Sequence, residues 1–302
     1  MLNEARAGQI LEEAIRLANA GQAGEATSRL QSLIYDSVKA VALRDYRARA
    51  FKGLLQILFQ QGRDARLSKI FRQYAAEFGD GSDPEFDGLY VAGALATRTL
   101  PLPLRRRNRF LILTRRLAGT LPLQGLIAEC GCFQGLSSFL ICSCMKRFDP
   151  AFDGSGYEIY DSFQGLSAPQ AEDFGSPDSA ESFRIQPNVV AGAYAAPLEQ
   201  VKRALSAFPR IAYFPGWIPA AFRADDLAGR YRFVHVDVDL YVPTLASLEY
   251  FWPKMVPGGI MACDDYNWPG ARQAVDEFCA RQGLACEVTP TLQAFITCPA
   301  RS

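Results

Sequence analysis

Histidine is almost missing from this chain: His235 is the only one among 302 residues. Any site built on several imidazoles is therefore excluded. Net charge is missing too, because 32 Lys and Arg face 32 Asp and Glu. No global field draws in nucleic acid or an anionic membrane. No apolar run approaches the roughly 18 residues of a membrane span, and the opening "MLNEARAGQILEEAIRL" carries acids where a secretory signal needs an apolar core. The expectation is a cytoplasmic protein with neither a nucleic-acid nor a membrane partner.

Cysteine is present, eight times, but its spacing is wrong for a structural metal. Cys130/Cys132 and Cys142/Cys144 are C-x-C pairs, whereas zinc sites favour two to four intervening residues. Cys142, Cys144 and Cys263 lie inside apolar segments and read as reduced thiols acting as small hydrophobes.

The length suggests two domains. Residues 3 to about 78 carry helical periodicity, with Ile10, Leu11, Ala14, Ile15, Leu17 and Ala18 on one stripe and Leu54, Leu55, Ile57, Leu58 and Phe59 on another. Glycines 21, 62 and 79 divide this into two helical hairpins, and "ANAGQAGEA" against "FQQGRDARL" faintly echoes a tetratricopeptide repeat. Two copies are too few for a solenoid. "FGDGSDPEFDG", 78 to 88, reads as a loop and a candidate boundary. The organisation expected is an all-helical region over 1–100 and a second domain over 101–302. Between them Arg105, Arg106, Arg107, Arg109, Arg115 and Arg116 read as a solvated helix face docking through Phe110, Leu111 and Leu113, or else as a lid or a contact to an anionic ligand.

From residue 125 short apolar strands alternate with helical segments. Strands are expected at 126–130, 156–160, about 211–214, 232–237 and 258–263, with a terminal pair near 284–288 and 293–297. This alternation predicts an α/β fold, a doubly wound Rossmann-like sheet with ligands at the carboxyl ends of its strands.

Those strand ends carry the chemistry. The first ends in "AECGCFQG", where Glu129, Gly131 and Gly135 make E-x-G-x-x-x-G. That spacing departs from the G-x-G-x-x-G of dinucleotide sites, and an acid at the turn suits a cationic ligand such as the sulfonium of S-adenosylmethionine. The second strand stops at Asp161, placed to accept ribose hydroxyls or else to cap a turn before Ser162. "RFVHVDVDLY" ends in Asp237 and Asp239, and "GGIMACDDYNW" in Asp264 and Asp265. Four carboxylates at one sheet edge repel each other unless solvated or bridged by a cation, and all-oxygen ligands select Mg²⁺, Mn²⁺ or Ca²⁺.

The segments "AECGCFQG", "YDSFQGL", "FPGW", "VDVDLYVPTLASLEYFWPKMVPGGIMACDDY" and "GARQAVDEF" resemble the macrocin O-methyltransferase family, over roughly residues 105 to 285. The resemblance implies a class I methyltransferase fold, S-adenosylmethionine as methyl donor, and Mg²⁺ holding vicinal hydroxyls of a sugar. It implies Glu129, Gly131 and Gly135 at the donor's methionine end and Asp161, with Ser162 beside it, at its ribose; Trp217 is expected near the adenine from its place after the third strand. It implies Asp237, Asp264 and Asp265 as Mg²⁺ ligands. Val238 stands where the family commonly has glycine, and Val242 where it often has an acidic or polar residue.

Methyl transfer needs a base, for which Asp239 is the first candidate and Asp237 the second. His235, on the same strand, is a catalytic candidate beside its reading as a core residue. Tyr241, Tyr266 and Trp268 flank the site and would pack on the acceptor or simply fill space. The expected function is O-methylation of a sugar hydroxyl on a saccharide or glycosylated natural product. The alternatives are a catechol-like diol as acceptor, or a donor-binding scaffold working through its helical region. A nicotinamide oxidoreductase is disfavoured by the glycine spacing, and a homo-oligomer is left open.

Overall fold

The computed structural model describes residues 2–79, 83–174, 189–223 and 230–300. The chain divides into two compact units, Met1–Asn108 and Arg109–Ser302.

The first unit is helical: α1 (Glu4–Asn19), α2 (Ala23–Asp36), α3 (Arg44–Gln60), α4 (Asp64–Phe78), α5 (Pro84–Ala96) and the start of α6 (Leu104–Gly119). Each of α1 to α4 packs on its successor. The core is aliphatic and aromatic, with Leu30, Leu33, Phe51, Leu54, Leu58, Phe71 and Tyr90 buried. The α1 stripe is narrower than expected. Ala7, Leu11 and Ala14 are buried, whereas Ile15 is 53% exposed.

The expected loop over 78–88 is shorter in the structure. Residues 80–82 lie outside the described residues, and helix α5 begins at Pro84. Asp83 caps it by accepting from the Phe86 N–H at 3.1 Å, and Pro84 takes the first helical position. Asp-Pro reads as a turn in sequence, yet the same pair starts a helix because neither residue needs a preceding hydrogen-bond partner. Arg107 belongs to no solvated face: it is fully buried, with its Nε 2.7 Å from Asp87 Oδ1.

In the second unit the order is the rest of α6, β1 (Leu126–Cys130), α7 (Leu136–Phe148), β2 (Tyr157–Asp161), α8 (Leu198–Ala204), β3 (Ala212–Pro215), β4 (Tyr231–Val236), α9 (Tyr241–Phe251), β5 (Met255–Cys263), α10 (Pro269–Gln282), β6 (Glu287–Val288) and β7 (Ala294–Thr297). Among the described residues the strands form one sheet in the order β3-β2-β1-β4-β5-β7-β6. The first five run parallel, while β7 lies antiparallel to β5 and to β6. The strand order reverses between β1 and β4, so the carboxyl ends of those two strands form the crevice where such sheets take ligands.

Register makes that crevice chemical. Glu129 lies beside His235 and His235 beside Ala262; one residue on, Cys130 lies beside Val236 and Val236 beside Cys263. The next backbone bonds, Asp237 N–H to Cys130 O at 2.8 Å and Asp264 N–H to Val236 O at 2.9 Å, carry the ladder one residue past the strands. Gly131, Asp237 and Asp264 therefore emerge together. Under them sits a core of β-strand residues with Leu248 and Phe251 from α9 and Val275 and Phe278 from α10.

Candidate active site

The β1 turn is built around glycine. Gly131 has φ +81°, and a Cβ there would stand 1.9 Å from the Asp237 carbonyl oxygen. Only glycine fits. Asp161, at the end of β2, holds the same turn: one carboxylate oxygen accepts from the N–H groups of Cys132 (2.7 Å) and Phe133 (3.2 Å), and the other from the Phe163 N–H (2.6 Å). A carboxylate has about four acceptor positions, so beside these three donors one remains for a ligand hydroxyl. Gly135, also left-handed, caps the start of α7.

Ser162 and Trp217 meet at one acceptor. Ser162 Oγ donates to Gly165 O at 2.7 Å and Trp217 Nε1 to the same oxygen at 3.1 Å. Trp217, 44% exposed, therefore does reach the β2 loop. Two more exposed aromatics stand beside this loop, Phe133 and Tyr194, edge to face at 5.7 Å. Their types carry no signal in sequence, since aromatic residues are as common in cores.

Glu129 points inward. It is fully buried, its Oε2 accepts from Ser138 Oγ and from Tyr157 OH (2.6 Å), and its Oε1 lies 2.9 Å from His235 Nδ1. It lies beneath the β1 turn with both oxygens engaged by these partners. His235 is equally buried. Burial depresses its pKa, but the neighbouring Asp264 and Glu129 outweigh that and raise it to about 9. His235 Nε2 stands 4.0 Å from Asp264 Oδ1, too far for a hydrogen bond, so the attraction there acts through space. With no surface of its own, the imidazole reaches the crevice only through Asp264. Glu129→Gln keeps the shape but strips the partner from a buried imidazolium, and should cost about 3–5 kcal/mol of stability. Thermal melts of the variant against the wild type check this.

The four aspartates divide unequally. Asp237, Asp239 and Asp265 offer carboxylate oxygens within 4.8 Å of one another. Asp264, expected in that group, is engaged elsewhere: Gln293 Nε2 donates to its Oδ1 at 2.6 Å and Arg109 Nη2 bonds its Oδ2. Burial opposes its ionisation, yet Arg109, His235 and Gln293 hold its pKa at about 2. Asp237 and Asp239 go the other way. Burial and the charges of Asp264 and Asp265 push both well above the usual carboxylate range. Asp239 also takes a left-handed backbone, φ +60°, uncommon for a residue with a Cβ and typical of functional turns.

The group fits a hard divalent cation. Ligand oxygens about 2.0–2.6 Å from an ion are separated by at most about 5 Å, which the three carboxylates meet. Asp265 Oδ2 is moreover buried without a hydrogen-bond partner, a costly state that a cation relieves. Cysteine takes no part: Cys130 and Cys132 are free and buried, and burial lifts the Cys130 thiol to about 12.

Arg109 and Gln293 were not singled out as site residues from sequence. Arg109 looked like one of six surface arginines, and Gln293 lies in the turn before β7, 29 residues from the aspartate it binds. Asp173 was missed too. Its Oδ1 accepts from the Tyr241 N–H at 2.7 Å, capping α9 beside the crevice. Of the expected flanking aromatics, Tyr241 and Tyr266 donate outward to Glu277 (2.7 Å) and Asp276 (2.8 Å).

A profile of the family described as macrocin O-methyltransferase matches residues 115–292. Among curated relatives, 8-demethyl-8-(2,3-dimethoxy-alpha-L-rhamnosyl)-tetracenomycin-C 4'-O-methyltransferase of Streptomyces olivaceus is 26% identical over 165 residues, 53% of this chain and 60% of that protein. Mycinamicin III 3''-O-methyltransferase of Micromonospora griseorubida is 28% identical over 168 residues, 54% of this chain and 64% of the relative. The matches thus span less than two thirds of these relatives. Among solved structures, a calicheamicin methyltransferase aligns with a TM-score of 0.54 at 19% identity, covering 72% of this chain and 94% of that one. The O-methyltransferase NovP aligns at 0.53 and 18%, covering 80% and 99%. These likenesses show a class I methyltransferase fold. Among the described residues no helix is long and apolar enough to cross a membrane.

Proposed function

The chain belongs to the macrocin O-methyltransferase family, and from that membership we propose that it is an O-methyltransferase using S-adenosylmethionine and a divalent cation, Mg²⁺ by preference, on a sugar hydroxyl. The observation that carries the reading is the trio Asp237, Asp239 and Asp265, with the unpartnered Asp265 Oδ2, beside the Gly131 turn that Asp161 holds. The curated relatives are named for methylating sugar-bearing natural products, which favours a saccharide or glycosylated acceptor.

When bound, the donor supplies a sulfonium methyl and the ion lowers the pKa of the hydroxyl that receives it. Asp237 and Asp265, with Asp239 or Asp264 as the third carboxylate, would hold the ion. Asp239 would accept the hydroxyl proton at a carboxylate oxygen, and the crevice between the β1 turn and the aspartates would align the acceptor for in-line transfer. Glu129 and His235 act from below, fixing the donor turn and Asp264. Gly131 lets the backbone approach the donor, while Asp161 with Ser162 and Trp217 line its nucleoside end.

Calorimetric titration with S-adenosylhomocysteine and then Mg²⁺ tests this. The wild type should bind both, and Asp161→Ala should bind S-adenosylhomocysteine at least about 100-fold more weakly, because it loses both the ribose acceptor and three backbone anchors. A wild type that binds neither overturns the reading. A screen that finds catechols methylated and sugars untouched would move the acceptor class and keep the chemistry.

A further inference from the structure

The two helices that lead away from the aspartates have no caps of their own. α9 starts just after Asp239 and α10 just after the turn that follows Asp265, yet their capping positions hold Leu240 and Trp268, and neither side chain makes a capping hydrogen bond. For α9 the cap comes from 68 residues upstream, where Asp173 Oδ1 accepts from the Tyr241 N–H at 2.7 Å. A carboxylate suits that place, because it satisfies an orphan amide and faces the positive end of the helix dipole. The same oxygen lies against the first turn of α10. A Cβ on Gly270 would stand 2.1 Å from Asp173 Oδ1 and 3.0 Å from the Tyr241 nitrogen, so this contact requires glycine.

Asp173 is itself held in place. Its Oδ2 accepts from the Gln170 N–H at 2.8 Å, and its own N–H donates to Gln170 O at 3.1 Å. The short turn Ala171–Phe174 that carries it packs on α10, and α10 packs on α9. Between those two helices Tyr241 OH donates to Glu277 Oε2 at 2.7 Å. One carboxylate oxygen thus touches the starts of both helices, and the turns that carry the four aspartates run straight into those starts. Like charges gathered this closely push the two turns apart. At Asp239 the backbone is also left-handed, φ +60°, a conformation that persists where surrounding contacts impose it.

We infer that Asp173 is a positioning residue for the cation site: bonded to the start of α9 and seated against Gly270 of α10, it sets the spacing between the turn of Asp237 and Asp239 and the turn of Asp264 and Asp265. The inference rests on the cation-dependent reading above and holds whichever of these acids supply the ligands. Asp173 is not among the acids whose oxygens converge, so it acts through them. Its charge and its hydrogen bond can be separated. A carboxylate near a dication adds attraction through space, whereas the clamp needs only an oxygen that accepts from Tyr241. Asparagine keeps the oxygen and loses the charge; alanine loses both.

The test is Mn²⁺ titration followed by electron paramagnetic resonance, with S-adenosylhomocysteine calorimetry alongside, on wild type, Asp173→Ala, Asp173→Asn, Gly270→Ala and the double variant Asp173→Ala/Gly270→Ala. Asp173→Ala should bind Mn²⁺ about tenfold more weakly, the scale of one charge-assisted cap, while S-adenosylhomocysteine binds within about threefold of wild type. Asp173→Asn should bind Mn²⁺ within about threefold of wild type. Gly270→Ala, which drives the carboxylate off its seat, should match Asp173→Ala, and the two losses should not multiply in the double variant. Should Asp173→Ala fail to fold, hydrogen exchange on the wild type decides, because a clamp that holds the ion is held by it in turn. Saturating Mg²⁺ should slow exchange of the Tyr241 amide about fivefold or more, and by more than it slows the amides of α7. Five results overturn the inference and leave the cation site standing: unchanged Mn²⁺ affinity in Asp173→Ala, S-adenosylhomocysteine binding lost in step with it, an Asp173→Asn as weak as Asp173→Ala, losses that multiply, or Tyr241 exchange unmoved by Mg²⁺. A wild type that binds S-adenosylhomocysteine but no Mn²⁺ overturns the cation reading and this inference with it.

Discussion

Asp265→Asn should lose Mg²⁺ and Mn²⁺ binding while S-adenosylhomocysteine binds as in the wild type. Asparagine keeps the shape of the side chain and removes both its charge and its buried, unpartnered carboxylate oxygen. That oxygen has no hydrogen-bond partner to lose, so its removal falls on the cation. A catalytic cation contributes several kcal/mol to the transition state. At about 1.4 kcal/mol per decade, some 4 kcal/mol corresponds to a fall of about 10³-fold in turnover. Misfolding is separable from this effect. Asp237 and Asp239 are pushed above their usual range partly by Asp265, so its neutralisation should leave the cation-free melting temperature unchanged or raise it. Mg²⁺-dependent turnover surviving in Asp265→Asn would remove the trio as the metal site.

Gly131→Ala should have the largest effect on stability. Two costs combine there: a left-handed backbone, worth about 1–2 kcal/mol to a residue with a Cβ, and a Cβ 1.9 Å from the Asp237 carbonyl. The second cannot be relieved by a side-chain rotation, because the obstacle is backbone paired in the ladder between β1 and β4. About 3–5 kcal/mol of destabilisation is expected, which at about 2–4 °C per kcal/mol lowers the melting temperature by about 10 °C or more. Donor and cation binding should weaken together, since the strand end that moves carries Asp237. Gly62→Ala is the control, with φ +63° and no atom within 4 Å of the added methyl. Only the backbone cost remains, and a melting temperature falling as far in that variant would show that the Asp237 contact is not the cause.

Much of the second unit was legible from local pattern. The five parallel strands fall within a few residues of where apolar runs bounded by turns place them, because a strand buried on both faces announces itself by composition. The β1 turn was legible as well, since a glycine following a strand end is a backbone requirement written into one residue. The first unit was less so. Asp83 and Pro84 read as loop, yet they start α5. Arg107 read as solvent-facing, yet it is buried against Asp87.

By itself the sequence determined that carboxylates end β4 and β5, that the β1 turn needs glycine, and that both lie on the ligand edge of an α/β sheet. These follow from hydrogen-bond register and backbone sterics, which act over a few residues. Only the tertiary structure decided how the four acids are used. Arg109, 155 residues before Asp264, and Gln293, beyond it, claim one acid and leave three facing each other. His235 and Glu129 are drawn beneath the crevice and away from its surface. Such assignments depend on side-chain direction and on the cost of burying an unpaired charge, and that cost is set by whatever the fold brings within about 3 Å.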